Sequence, residues 1–325
     1  MDLTTIELFV LATGAMGLGI MLLIKGGDWT VDSAVYIATH FGISPLVVGF
    51  TIVAIGTSLP EFVVSMVANF QGSGGIAIGN VLGSNIANVL LVIGLTGIFA
   101  TLQTHAQGVI KDLVFMLVAT GIMLFLLLQE GDIGRLAGMG MVLLLLSYIF
   151  LQYKMSLRGE ISAENEEPEE SKFDYPWQPY LFLFLGLIAV AGGAEFLVRG
   201  AKVSARILEV PEAVIALSII AFGTSLPELS TCIIAARKGF SEIVLGNIIG
   251  SNVFNILMII GLTALIKPIA ENSYEQQLVD FDIWVVVAVS VMFSMILIFY
   301  NKITRPIGIA FMALYVLYNI YIYTL

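Results

Sequence analysis

Long apolar runs, separated by short polar stretches, follow one another from one end of the chain to the other. A helix of about 20 apolar residues crosses roughly 30 Å of hydrocarbon, and runs of that length recur here. They are continuous and do not alternate with polar residues, so they favour helices over the strands of a membrane barrel. The pattern predicts ten transmembrane helices, centred near Ala15, Val53, Val89, Val118, Leu144, Ile188, Ile219, Ile256, Val287 and Ala313.

Composition agrees with a membrane protein. The chain is 58% hydrophobic and 12% charged, with a mean hydropathy of +0.99, and 325 residues in water could not bury that much apolar surface. No basic residue precedes the first apolar run, so we expect no cleaved signal peptide. The single cysteine, Cys232, excludes an internal disulfide and is expected to be a packing residue. We predict an all-α polytopic membrane protein.

The second half of the chain repeats the first. The hexapeptide Gly-Thr-Ser-Leu-Pro-Glu occurs at Gly56–Glu61 and again, 167 residues later, at Gly223–Glu228. The segments Ala54–Thr96 and Ala221–Thr263 align without a gap and are about half identical. Each half has five predicted spans, an odd number, so the second half must enter the membrane in the opposite orientation. The sequence therefore predicts two inverted five-helix repeats, an architecture of alternating-access transporters.

An acidic stretch separates the halves. Seven Asp and Glu residues oppose only Lys172 between Gly159 and Asp174, which is typical of a solvated linker. We divide the chain into a first repeat (residues 1–153), the linker (154–176) and the inverted second repeat (177–325). With the N-terminus outside, nine of the 14 Lys and Arg residues fall on the linker's side of the membrane. The positive-inside rule then predicts both termini outside the cell membrane and the linker in the cytoplasm.

The duplicated glutamate is the main sign of function, because a carboxylate at mid-membrane depth costs at least a few kcal/mol. On a helix, Thr57 and Ser58 would share a face with Glu61. Pro60 cannot donate a backbone hydrogen bond and clashes with the carbonyl four residues back, so we expect a helix break that frees carbonyl oxygens. A second duplicated motif, Gly79–Asn88 and its copy Gly246–Asn255, adds serine and asparagine.

Together the two motif pairs offer only oxygen ligands. Such a set suits Ca²⁺, which takes six to eight oxygens at about 2.3–2.6 Å, whereas soft metals prefer Cys or His. The two histidines, His40 and His105, stand at predicted helix ends and are expected to be solvated. Two buried glutamates carry a charge of −2, which one Ca²⁺ or two monovalent cations would neutralise. A site that can be filled in either way would support ion exchange.

At these residues the chain resembles the cation/Ca²⁺ exchanger superfamily, in particular the prokaryotic sodium/calcium exchanger-like proteins. The resemblance covers essentially the whole length, with both repeat motifs complete and in order. It implies cation sites between the halves, with the first and sixth helices sliding against the remaining core to alternate the access. It implies that Glu61 and Glu228 are the central Ca²⁺ carboxylates, with hydroxyls or carbonyls from Thr57, Ser58, Thr224 and Ser225. It also implies Na⁺ sites formed by Ser84, Ser251 and the backbone carbonyls of Ala54 and Ala221. Asn88 and Asn255 would line the centre.

One position departs from the family pattern. Several relatives have Asp at one of the two positions that Asn88 and Asn255 occupy, whereas this chain has Asn at both and lacks a third titratable centre. The ion stoichiometry and any K⁺ dependence therefore stay open.

These observations predict Na⁺/Ca²⁺ antiport, with H⁺/Ca²⁺ antiport through the same two glutamates as the alternative. The proton-coupled branch of the superfamily resembles Gly-Asn-x-x-Glu, whereas hydroxyls precede the glutamate here. A passive cation channel and exchange of another cation also stay open. The chain has no His-Glu-x-x-His motif and no phosphate-binding loop, so we expect neither an enzyme nor an ATP-driven pump.

The predicted partners follow from this transport function. Ca²⁺ and Na⁺ are the expected substrates and the lipid bilayer is the expected surroundings, with no cofactor. No basic cluster indicates nucleic acid. Both halves of the site lie in one polypeptide, so no obligate protein partner is expected and a monomer would suffice.

Overall fold

The computed structural model describes residues 5–103, 106–129, 132–157, 173–208 and 223–324, which are largely helical. The helices are α1 (Thr5–Phe41), α2 (Pro45–Thr57), α3 (Leu59–Phe70), α4 (Gly74–Phe99), α5 (Ala106–Leu128), α6 (Arg135–Leu157), α7 (Gln178–Ile207), α8 (Leu226–Arg237), α9 (Ser241–Ile266), α10 (Leu278–Tyr300) and α11 (Arg305–Thr324). Two short strands, β1 (Leu102–Gln103) and β2 (Lys302–Ile303), pair antiparallel.

Within these described ranges, eight helices are long and apolar enough to cross a membrane, and α2 with α3 makes a ninth span that is bent by 46°. Nine of the ten predicted helix centres fall inside these spans. The remaining centre, Ile219, lies outside the described residues, as do residues 158–172 of the linker. The prediction of an all-helical, multi-span membrane protein is thus confirmed, while the count of ten helices stays a prediction.

Helices α4 and α9, which carry the second motif pair, are the most buried of the candidate spans. The long helices α1 and α7 pack against each other on one side of this core. Glycines make their close approach possible. A Cβ atom added to Gly19 would lie 2.7 Å from the Gly193 carbonyl oxygen, and one on Gly26 would lie 2.8 Å from the Gly186 carbonyl oxygen. Small residues of this kind let membrane helices touch through their backbones.

The connections between helices meet at both ends of the bundle. At one end, β1 pairs with β2, so the segment after α4 lies beside the segment before α11. At the other end, Ile133 forms a bridge with Ile269, which joins the α5–α6 and α9–α10 connections. Helix α5 runs from one of these ends to the other, so the two contacts lie on opposite sides of the bundle.

Candidate cation site

The first hexapeptide forms the bend between α2 and α3. Helix α2 passes through a π-helical stretch, Gly49–Val53, and ends at Thr57. Ser58 leaves the helical conformation with φ −85° and ψ 3°, and α3 then starts with Pro60 in its first turn. Proline is tolerated there because the first backbone N–H groups of a helix have no partner within it. The predicted break is therefore present, and it places Glu61 in the first turn of a helix, where a negative charge is stabilised.

The second hexapeptide has the same local structure. Ser225 adopts φ −88° and ψ 3°, and α8 begins at Leu226 with Pro227 and Glu228 in its first turn. The local sequence thus gives the same helix start in both copies. The helical turns that precede Ser58 in the first copy correspond to residues 209–222 in the second, which lie outside the described residues.

Both glutamates are buried in the interior. Glu61 and Glu228 are 2% and 1% exposed, and their carboxylates interact electrostatically. Thr57 and Ser58 of the first copy lie next to the Glu228 carboxylate of the second. The structure therefore brings the two hexapeptides together.

Several buried oxygens at this place have no hydrogen-bond partner among the described residues. They are Oε2 of Glu61 and Glu228, Oγ of Ser225, and Oδ1 of Asn255. A buried polar atom without a partner costs free energy, and a bound cation would satisfy oxygens placed in this way. Carboxylate, hydroxyl and amide oxygens are also the donor set that hard cations prefer.

The second motif pair lies on α4 and α9, with Ser84, Asn88, Ser251 and Asn255 all buried. Each helix continues into a π-helical stretch that starts at the last asparagine of the motif, Asn88–Ile93 in α4 and Asn255–Ile260 in α9. Insertions of this kind are frequent at functional sites. The equivalent helices of the two halves therefore share an unusual backbone feature at the same motif position.

The remaining predicted residues differ in their surroundings. Thr57 Oγ1 lies 3.2 Å from the Val53 carbonyl oxygen and 3.3 Å from Asn247 Oδ1. The carbonyl of Ala54 accepts a hydrogen bond from the Ser58 N–H at 3.0 Å, so the bend leaves it partnered within the chain. Thr224 is only half-buried, and Ala221 lies outside the described residues.

Sequence reasoning did not include four other asparagines among the site residues. Asn80 donates to the Glu61 backbone carbonyl at 3.2 Å. Its copy Asn247 contacts the hydroxyl of Thr57 and the hydroxyl of Ser251. Asn85 and its copy Asn252 bond to the central asparagines of the opposite half. Their recurrence at the 167-residue spacing is the sequence signal that could have identified them.

In the described part of the chain, no group of three or more His, Cys, Asp or Glu side chains could hold a metal ion. Among the described residues, a cation at this place would meet two carboxylates and neutral oxygens. Two buried carboxylates in the first turns of membrane helices, one of which follows a bend, are a feature of transporters whose substrates bind near the bilayer midplane. Fold and site together define the class of a polytopic membrane transporter.

Comparison with known families makes this class specific. The family model described as "Sodium/calcium exchanger protein" matches residues 11–154 and 179–324, which is most of the chain. The protein therefore belongs to the sodium/calcium exchanger family.

Individual relatives match along nearly the full length. The uncharacterized membrane protein MJ0091 of Methanocaldococcus jannaschii is 37% identical, with 95% of this chain and 97% of that protein covered. The sodium/calcium exchanger MaX1 of Methanosarcina acetivorans is 31% identical, with 94% and 97% covered. Among solved structures, the sodium-calcium exchanger NCX_Mj, soaked with Na⁺ and Sr²⁺, superposes with a TM-score of 0.80 at 34% identity, over 95% of this chain and 98% of that one.

Proposed function

We propose that this protein exchanges Na⁺ for Ca²⁺ across the membrane by alternating access to a site between its two halves. The family and the NCX_Mj likeness support cation/Ca²⁺ exchange as the general activity. Coupling to Na⁺, and the use of the two glutamates, are the parts that go beyond these comparisons.

One observation carries the proposal, which is the meeting of Glu61 and Glu228 in the interior. Two ionised carboxylates buried close together repel each other, and a cation between them would offset that repulsion. One Ca²⁺ or two Na⁺ would balance their charge, so either filling gives a neutral site that can cross between access states. The empty site would keep its double charge and resist that crossing, which couples the two ion fluxes.

The ligands that we propose are the oxygens gathered around these carboxylates. Thr57, Ser58 and Ser225 would complete the Ca²⁺ shell, with Thr224 as the partly exposed member of the set. Ser84 and Ser251, with the carbonyls of Ala54 and Ala221, would form the Na⁺ positions, and Asn88 and Asn255 would line the centre. Hydroxyls next to the glutamates favour Na⁺ over a bare proton as the exchanged ion.

We also propose ten helices in two inverted repeats, residues 1–153 and 177–325, joined by the linker 154–176. Hydrogen bonds between the halves support the pseudo-two-fold relation. Asn88 of the first half donates to Asn252 of the second at 3.0 Å. The equivalent bond with the halves exchanged, from Asn255 to Asn85, also measures 3.0 Å.

The later helices supply further support for the inverted repeats. Tyr148 donates to Asp112 at 2.5 Å, and Tyr318 donates to Asp282 at 3.0 Å, with 36 residues between the partners in both cases. The contacts between helix connections also correspond. Leu102 of the first half pairs with Ile303 of the second at one end, and Ile269 of the second half pairs with Ile133 of the first at the other.

The proposed setting is the cell membrane, with both termini outside and the linker in the cytoplasm. In this orientation α1 and α7 slide past the remaining core and alternate the access to the site. Their glycine contacts hold α1 and α7 backbone to backbone, so the two helices would move together as one unit. We propose that a monomer suffices and that no cofactor takes part besides the transported ions.

The test is uptake of radioactive Ca²⁺ into proteoliposomes that contain the purified protein. Uptake that needs Na⁺ inside the vesicles would support Na⁺/Ca²⁺ antiport. Uptake driven by a pH gradient alone would replace this with H⁺/Ca²⁺ antiport. Uptake that needs no countertransported ion would identify a passive channel and overturn the proposal.

A further inference from the structure

Four buried asparagines from the two halves form one hydrogen-bond network at the crossing of α4 and α9. Asn85, Asn88, Asn252 and Asn255 are each 1–2% exposed. Asn88 and Asn255 each donate their amide Nδ2 to the opposite half, to Asn252 Oδ1 and Asn85 Oδ1 respectively, both at 3.0 Å. The network therefore determines which end of the Asn88 and Asn255 side-chain amides is free to contact another ligand.

The orientation of Asn85 is itself fixed by the backbone. Its Nδ2 donates to the backbone carbonyl oxygen of Asn252 at 3.2 Å. A carbonyl oxygen can only accept, so the Asn85 amide cannot be reversed without placing two oxygens against each other. Its Oδ1 must then face Asn255 as an acceptor, and Asn255 must present its NH₂ group in return.

The consequence is that the Asn255 oxygen points away from Asn85. This Oδ1 is buried and has no hydrogen-bond partner among the described residues. On the other side, Asn252 accepts from Asn88 and donates its own Nδ2 to the Met116 sulfur at 3.8 Å. A thioether is a weak acceptor, so Asn252 is held less firmly than Asn85.

We infer that Asn85 and Asn252 are positioning residues that direct the carbonyl oxygens of Asn88 and Asn255, and not their NH₂ groups, toward the cation path. This rests on the proposed function, since it assumes that a cation passes there. A cation is attracted by the oxygen end of an amide and repelled by the NH₂ end. Reversal of either central amide would therefore turn a ligand into a barrier, although no charge is changed.

The network also explains why residue 255 can be Asn without loss of order. Asn85 Oδ1 needs a donor opposite it, and an ionised carboxylate at position 255 would offer only acceptors. The neutral pair Asn85–Asn255 satisfies both partners. The asparagine at position 255 and the asparagine at position 85 therefore depend on each other.

The experiment compares Asn85→Leu with Asn85→Asp. Leucine has a similar size but removes the acceptor, so the Asn255 amide can reverse. We expect the Ca²⁺ concentration for half-maximal exchange to rise by about tenfold, which equals 1.4 kcal/mol, while the maximal rate changes less. Protonated aspartate keeps an acceptor oxygen toward Asn255 and an O–H donor toward the Asn252 carbonyl, so it should not weaken Ca²⁺ binding.

These outcomes separate positioning from packing. If Asn85 only fills space, leucine should be tolerated and aspartate should do the damage, and that result would overturn the inference. Asn69→Leu is the matched control, because Asn69 is a buried asparagine that links the halves through the Lys267 carbonyl at 2.7 Å, away from the four-asparagine network. Its half-saturating Ca²⁺ concentration should stay unchanged.

A binding measurement completes the design. Thermal unfolding of each purified variant with and without Ca²⁺ reports folding and ligand stabilisation independently of transport. If the wild-type protein neither exchanges nor binds Ca²⁺, the proposed function fails. If the wild type binds Ca²⁺ and Asn85→Leu binds it equally well, the proposed function stands and the positioning role is wrong.

Discussion

Glu61 and Glu228 set the charge that a bound cation must balance. Both side chains are almost completely buried, and each starts a helix whose N-terminal dipole stabilises a negative charge. That stabilisation is at most about 2 kcal/mol, which is less than the cost of burying a carboxylate in a membrane interior. The deficit is what a cation would supply.

Removal of one charge should therefore abolish Ca²⁺ exchange. We expect Glu61→Gln and Glu228→Gln each to reduce Na⁺-dependent Ca²⁺ uptake at least about a hundredfold, since a loss of roughly 3 kcal/mol corresponds to that factor. Glu195→Gln is the control, because Glu195 is exposed and pairs with Arg199 on the same helix. Near-normal uptake by both glutamine variants at matched protein incorporation would show that the site lies elsewhere.

Residues within one motif could be identified from the sequence, and the residues they face could not. Helical spacing predicts that Thr57 and Ser58 share a face with Glu61, but the structure breaks the helix at Ser58 and places both residues beside Glu228 of the other half. The partner of Asn85 is Asn255, which is 170 residues away on another helix, and its identity depends on which helix faces meet. A single sequence shows that both asparagines recur, but it does not show that they cross-pair.

At the scale of helices, the contact between α1 and α7 depends on glycines at repeated positions. Gly19 and Gly186 are separated by the repeat spacing, as are Gly26 and Gly193. Each glycine of the first helix contacts a backbone carbonyl of the second. Any side chain at these positions would force the two backbones apart.

Gly193→Leu should therefore destabilise the protein, whereas Gly192→Leu should not. A Cβ atom at Gly193 would lie 2.8 Å from the Gly19 carbonyl oxygen, but one at Gly192 meets nothing within 4 Å. Overpacking of about 1–3 kcal/mol predicts that Gly193→Leu lowers the melting temperature in detergent by roughly 3–10 °C. Equal melting temperatures for the two neighbouring variants would show that the glycine contact is not a constraint.

The helical spans were predictable because their apolar runs are long, whereas details within them were not. The π-helical stretches Asn88–Ile93 and Asn255–Ile260 leave no mark in hydropathy, because a one-residue insertion hardly alters an apolar run. The correspondence of Asp112 with Asp282 was also missed. Its spacing is 170 residues, not 167, because Asp282 follows the end of α9 by 16 residues, whereas Asp112 follows the end of α4 by 13.

At the scale of the whole molecule, contacts in the described part of the chain join the two halves at several places. Lys267 donates to the Asn69 backbone carbonyl at 3.0 Å, and the Asn69 side chain donates to the Lys267 carbonyl in return. Lys238 pairs with Asp28 and Asp32 of α1, each at 2.9 Å. The halves are therefore associated through their helices, independently of the segment that connects them in sequence.

The acidic side chains of the linker should accordingly not be required for transport. We expect replacement of residues 160–170 by a Gly/Ser sequence of equal length to leave the rate of Na⁺-dependent Ca²⁺ uptake within about twofold, because a solvated polar tether supplies reach and no specific contact. Equal length keeps the distance that the chain can span. Lys238→Met is the comparison, since it removes the ion pairs that Lys238 makes with Asp28 and Asp32 of α1 and should lower the melting temperature. Loss of exchange in the Gly/Ser variant, at unchanged melting temperature, would mean that the acidic residues act on transport directly.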